Sequence, residues 1–114
     1  MAYTVIVAQT VTKTGLNPAY VAATATEGDK FRNTGKEFIH VINAGVGAVA
    51  VTVPTPAEIS GLAIEDKVVS VPAGEDRMIG PFESALYNQS GADKGYCYVT
   101  YDQVATVTVA VLRA

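Results

Sequence analysis

The chain has no tryptophan, a single cysteine (Cys97), a single histidine (His40) and only 4 leucines among 114 residues. One cysteine cannot pair within the chain, which excludes a disulfide framework. One Cys with one His cannot supply the four ligands of the common zinc modules. Charge is also scarce: 17% of residues carry it, against about 25% in an ordinary soluble domain. The balance is acidic, at net −3 with a pI of about 4.9, so composition offers no basic stripe for general nucleic-acid binding. Every long apolar run is broken well short of the roughly 20 residues of a membrane-spanning helix. Met1-Ala2-Tyr3 lacks the basic n-region of a signal peptide, so the expectation is synthesis in a cytoplasm. Asn88-Gln89-Ser90 matches the glycosylation sequon and is read as coincidence in the absence of an export signal.

What is abundant is β-branched: 17 Val, 12 Thr and 6 Ile. Such side chains are stiff at χ1 and fit a pleated surface better than a helix. With 10 Gly, 5 Pro and 6 Tyr, the composition predicts an all-β domain with many turns. At 49% hydrophobic, the chain can build one core without staples, so residues 1–114 read as a single β-sandwich domain.

Strand signals recur along the chain, each bounded by turn residues. Residues 4–12 alternate, with Val5, Val7 and Val11 on one side and Thr4, Ile6, Ala8, Thr10 and Thr12 on the other. Residues 20–24 form a second run. Glu27-Gly28-Asp29 leads into 30–32, and Asn33-Thr34-Gly35 turns the chain again. Residues 37–43 form a clear strand, with Ile39 and Val41 opposite Phe38, His40 and Ile42. Asn43-Ala44-Gly45 reads as a hairpin-like turn into 46–53, which Pro54 and Pro56 stop. Residues 57–66 are irregular, with room for one helical turn. Strands follow at 67–71 and 77–79, then a loop over 82–95, then strands at 96–101 and 106–112 joined as a hairpin by 102–105. The pattern predicts a two-sheet β-sandwich or jelly roll of eight to nine short antiparallel strands, with a small barrel as the second architecture. Residues 1–14 stand out as an N-terminal arm or edge strand.

Charge placement is the most informative feature. Lys13 is the only charged side chain in residues 1–26. Residues 38–57 carry none apart from the titratable His40, and residues 103–112 carry none. An uncharged β-rich edge is a pairing hazard unless it is covered. Two readings stand: Thr is simply a good strand-surface residue, or these faces and edges are covered by neighbouring subunits.

Chemistry-bearing motifs are few. Gly45-Val46-Gly47-Ala48-Val49-Ala50 matches G-x-G-x-x-A, with Asp66 about 20 residues on. The dinucleotide fingerprint needs a helix at that point, whereas Val49, Val51 and Val53 keep strand period and Pro54 and Pro56 would break a helix. His40 lies mid-strand with no G-x-S-x-G nucleophile in the chain. Cys97 alternates with Val99 and reads as a small inward hydrophobe. Glu65-Asp66 and Glu75-Asp76 lack calcium-loop spacing, and each is followed by a cation. No cofactor, metal or catalytic residue is expected, and the chain is read as non-enzymatic. Tyr96 and Tyr98 share a strand face, with Tyr101 opposite, so a carbohydrate-binding β-sandwich module is an alternative reading.

Three segments carry a family resemblance. The first runs from Glu27-Gly28-Asp29-Lys30-Phe31-Arg32-Asn33-Thr34-Gly35 to the strand ending at Asn43. The second is Val51-Thr52-Val53-Pro54-Thr55-Pro56 leading to Gly61-Leu62-Ala63. The third joins Val69-Ser70-Val71-Pro72-Ala73-Gly74, Ile79-Gly80-Pro81-Phe82 and Val107-Thr108-Val109-Ala110-Val111. Together they resemble small virion proteins of tailed bacteriophages, of the head decoration (cement) type. The resemblance implies a viral structural protein on the outer capsid surface of the virion, made in the host cytoplasm. Its partner would be the major capsid protein lattice, which it would stabilise, and it would be a homo-oligomer with a trimer favoured. Neither nucleic acid nor membrane is an expected partner. The expected contact residues are Tyr3, Val5, Val7, Gln9 and Val11, through strand addition by the uncharged segment.

Overall fold

The computed structural model describes residues 3–24 and 28–113. Glu27, part of the expected turn before residue 30, lies outside them. The chain folds as an all-β sandwich of two packed five-stranded sheets, with one separate two-stranded hairpin. The strands are β1 (Thr4–Val5), β2 (Gln9–Thr10), β3 (Val21–Ala22), β4 (Asp29–Arg32), β5 (Glu37–Asn43), β6 (Val49–Val53), β7 (Glu58–Ile59), β8 (Leu62–Ala63), β9 (Lys67–Val71), β10 (Asp76–Ile79), β11 (Tyr96–Tyr101) and β12 (Val107–Arg113). A single helical turn, α1 (Ser84–Tyr87), and a 3₁₀ turn at Gly91–Asp93 occupy the expected 82–95 loop.

The first sheet runs β1-β4-β11-β6-β9 and the second β10-β5-β12-β2, with β3 also pairing β12. Alternation along each strand builds the core between them. Phe31, Val49, Val51, Val53, Cys97 and Val99 face inward from the first sheet, and Ile39, Val41, Val107, Val109 and Val111 from the second, all at or near zero exposure. Phe31 and Phe82 meet at 6.0 Å between centroids, and Tyr87 closes on Phe82 at 5.2 Å, edge to face. This aromatic trio seals one end of the core.

Three expectations change. The run over 4–12 is not one strand. β1 pairs parallel with β4 (Thr4 opposite Asp29) and β2 pairs parallel with β12 (Gln9 opposite Leu112), so the segment crosses from the edge of one sheet to the edge of the other. These two pairings also depart from an all-antiparallel arrangement. Residues 57–66 contain the β7–β8 hairpin rather than a helical turn. The links at 43–45 and 102–105 are not hairpins, because β5 and β6, like β11 and β12, belong to different sheets; both are arches over the end of the core.

Buried polar groups tie the arches and turns. Asn43, fully buried, donates from Nδ2 to the Gly47 carbonyl at 2.8 Å and the Val71 carbonyl at 3.0 Å, and its Oδ1 accepts the Gly45 N–H. Asn33 links the β4–β5 turn to Phe82 and Asn88. Asp29 accepts from the Thr24 and Tyr101 hydroxyls at 2.7 and 2.8 Å. Among the described residues no buried side-chain nitrogen or oxygen lacks a partner, as close packing of polar groups requires. Gly28, which opens β4, has φ +89°, and a Cβ there would collide with the Val99 carbonyl oxygen; only glycine fits both constraints.

Candidate functional site

The N-terminal segment is held to the sandwich by its backbone. The Thr4 and Ile6 N–H groups donate to the Gly28 and Lys30 carbonyls at 3.2 and 2.9 Å, and the Val11 N–H donates to the Arg113 carbonyl at 2.8 Å. The Gln9 side chain grips Ala19 at both ends, its amide nitrogen on the Ala19 carbonyl (2.8 Å) and its oxygen on the Ala19 N–H (2.9 Å). Ile6 turns into the core at 7% exposure. By the alternation of an extended chain, Val5 and Val7 then face solvent: Val7 is 77% exposed, and Val5 and Val11 are about half exposed.

The five expected contact residues therefore divide. Val5, Val7 and Val11 form an exposed apolar row. Tyr3 and Gln9 are engaged within the chain, Gln9 with Ala19 and Tyr3 in a parallel stack on Tyr98 at 3.8 Å.

Tyr98 leads to the outer face of the first sheet. Tyr96 and Tyr98 share that face, while Tyr101 points inward to Asp29, as alternation along β11 requires. Lys30 pairs with Asp93 at 2.7 Å, and the Tyr98 hydroxyl also donates to Asp93. The Lys30 and Tyr98 hydrogen bonds hold the Asp93 carboxyl below its usual range, and the bond to that carboxylate pushes the Tyr98 phenol up to about 12. Lys30 and Arg32 lie 5.0 and 4.8 Å from the Tyr96 ring centre, in cation–π range. The tyrosines are thus occupied by neighbours from β4, the N-terminal segment and the 3₁₀ turn.

On the outer face of the second sheet, His40 joins two elements. Its Nδ1 meets the Tyr20 hydroxyl at 2.6 Å and its Nε2 meets the Asp76 carboxylate. Both ring nitrogens thus have a partner. No serine or cysteine belongs to this cluster. Cys97 is fully buried, and burial pushes its thiol up to about 12, far from the thiolate that a nucleophile requires. Among the described residues no group of three metal-ligating side chains converges. The glycine-rich 44–48 arch leads into β6, not into a helix. With Gln103, Ala105 and Thr106 it lines an open, uncharged cleft of about 460 Å³, with Val46 fully exposed at its lip.

Sequence reasoning missed the opposite edge. Leu62 on β8, Val68 on β9 and Met78 on β10 are 72%, 56% and 65% exposed. The signal is present in the chain: Val68-Val69 and Met78-Ile79 are adjacent apolar pairs in strands, and two neighbours cannot both face one core. Comparison with known proteins finds no matching family model, no matching curated protein and no matching solved structure.

Proposed function

We propose that this chain is a non-enzymatic bacteriophage structural protein, a head decoration (cement) protein that binds the assembled capsid from outside and stabilises it. The observation that carries the reading is the row Val5, Val7 and Val11, presented to solvent on an N-terminal segment whose only charge is Lys13. Apolar surface of this kind is stabilised when removed from water, by about 1.5–3 kcal/mol for each fully buried valine-sized side chain. The resemblance of residues 27–43, 51–56 with 61–63, and 69–74, 79–82 and 107–111 to small virion proteins of tailed bacteriophages supports the same reading. The partner is the major capsid protein lattice, and the mechanism is burial of surface across adjacent capsid subunits.

The carbohydrate-binding reading depends on free tyrosine faces. Tyr98 stacks on Tyr3 and Tyr96 lies beside two cations, which weighs against a sugar platform there.

The test is co-sedimentation of purified protein with expanded, decoration-free capsids. Wild type is expected to pellet with the shells, and Val5→Lys/Val7→Lys to stay in the supernatant while keeping its fold. Absence of binding by wild type overturns the reading, and glycan-array binding in that case establishes the carbohydrate alternative.

A further inference from the structure

The 6 tyrosines of the chain differ in what their hydroxyls meet. Among the described residues, the hydroxyls with a hydrogen-bond partner are those of Tyr20, Tyr98 and Tyr101. Tyr98 and Tyr101 each donate to an aspartate, Asp93 and Asp29. A carboxylate bound in this way holds the phenol in its protonated form, and Tyr98 is pushed up to about 12. Burial raises Tyr87 as well. Tyr3 stacks on Tyr98, and Tyr96 lies beside Lys30 and Arg32. Tyr20 differs from all of these, because its oxygen lies 2.6 Å from a nitrogen base, His40 Nδ1.

Three elements build this contact. Tyr20 immediately precedes β3, His40 is the middle residue of β5, and Asp76 opens β10. β5 lies between β10 and β12, with Met78 and Ala110 opposite His40. The imidazole is thus flanked on both sides, and its side chain is only 11% exposed. The Tyr20 ring stands edge-on to it, with centroids 5.5 Å apart. Tyr20 is half-buried and the Asp76 side chain is exposed, so the cluster borders solvent.

Asp76 decides the tautomer. A carboxylate only accepts, so Nε2 carries the hydrogen shared with Asp76. In the neutral ring Nδ1 then keeps its lone pair, and the Tyr20 hydroxyl is the donor. As a class, imidazole is a stronger base than an aspartate carboxylate by about two to three pKa units. Tyr20 is therefore the phenol whose proton has a competent acceptor.

We propose that Tyr20 is a nucleophilic site for acyl and sulfonyl electrophiles, with His40 as its base and Asp76 as the residue that orients the base. The arrangement is that of an activated nucleophile, with a base in hydrogen-bond reach and a third group holding the base. With a sulfonyl fluoride, the Tyr20 oxygen bonds to sulfur as its proton passes to His40 Nδ1. The S–F bond breaks with its electron pair on fluoride. The imidazolium, stabilised by the Asp76 carboxylate, then gives the proton to water. The step consumes Tyr20, so it is a single modification without turnover, and it is independent of attachment to a capsid.

The test treats the purified full-length protein with benzenesulfonyl fluoride at neutral pH. Digestion and mass spectrometry follow the labelling of each tyrosine over time. Tyr20 is expected to label at least about tenfold faster than Tyr3 or Tyr96 in the same molecules, since a positioned base contributes about 10²–10⁴-fold. His40→Gln removes the base and brings Tyr20 down to the rate of those two. Asp76→Ala slows Tyr20, and Asp76→Glu, which keeps a carboxylate, restores it. Circular dichroism and slow labelling of Tyr98 report that each variant stays folded. A wild-type Tyr20 that labels no faster than Tyr96 overturns the proposal without recourse to any variant. So does an unchanged rate in folded His40→Gln or Asp76→Ala, and so does a loss in Asp76→Ala that Asp76→Glu leaves in place.

Discussion

Arg113 Nε donates to Glu37 Oε2 at 2.6 Å, across the register position where the end of β12 meets the start of β5. Glu37 is fully buried, and its other oxygen accepts from the Thr34 N–H and hydroxyl at 2.7 and 2.9 Å. Burial alone would raise the carboxyl, but the Thr34 and Arg113 hydrogen bonds outweigh it and hold the group below its usual range.

Acid should therefore weaken the fold through this residue. Glu37 binds its proton less readily folded than unfolded, so its contribution is complete above the ordinary carboxylate pKa of about 4.3 and is lost as pH falls through the lower folded value. Glu37→Gln is expected to cost about 1–3 kcal/mol at neutral pH and to flatten the acid limb. Urea midpoints measured from pH 7 downward read both effects.

The Cys97 thiol, pushed up to about 12 by burial, should resist a thiol-reactive dye in the native protein and react at once in denaturant. Labelling of the folded chain at the rate of a free thiol at mildly alkaline pH would contradict its placement.

Alkaline titration followed by tyrosine absorbance should show late-ionising phenols. Tyr98 is held up at about 12 by its bond to Asp93, and burial with the Asp29 charge raises Tyr101 as well. Asp93→Asn should bring Tyr98 back toward the ordinary value of about 10 and leave Tyr101 unchanged.

Neighbouring residues of the N-terminal segment should differ sharply. Ile6 lies in the core and Val7 in solvent. Ile6→Ala is expected to cost about 2–3 kcal/mol and Val7→Ala less than about 0.5 kcal/mol, measured by chemical denaturation. Deleting residues 1–12 removes Ile6 and uncovers the β4 and β12 edges, so the truncated chain should melt lower than a Val5/Val7 surface variant.

The strands that alternate cleanly, β5, β6, β11 and β12, were legible because each has one face on the core; their Val and Ile spacing carries the register. The segment over 4–12 misled because alternation reports which residues share a side and not which edge a strand joins. Its pairing is decided by residues far along the chain, Asp29 and Leu112. The arches at 43–45 and 102–105 look like hairpins for a similar reason, since a glycine turn between two strands has the same local chemistry whether it stays in one sheet or crosses to the other. The exposed valines were visible as residues. Asp93, drawn onto Lys30 and Tyr98 from a loop 63 positions after Lys30, left no local pattern to find.

From β4 onward, nearly every link between the main strands changes sheet; the step from β6 to β9, with its small hairpin between, is the exception. Little of either sheet can then zip up from a local turn, and assembly waits on encounters between distant parts of the chain, a topology that slows folding into the millisecond-to-second range. A ribosome delivers β2 long before its partner Leu112, about a hundred positions later in the chain. Until β12 is made, the nascent protein must carry β2 unpaired, flanked by Val5, Val7 and Val11, through a crowded cell, where the scarcity of charge that suits a buried surface also invites aggregation.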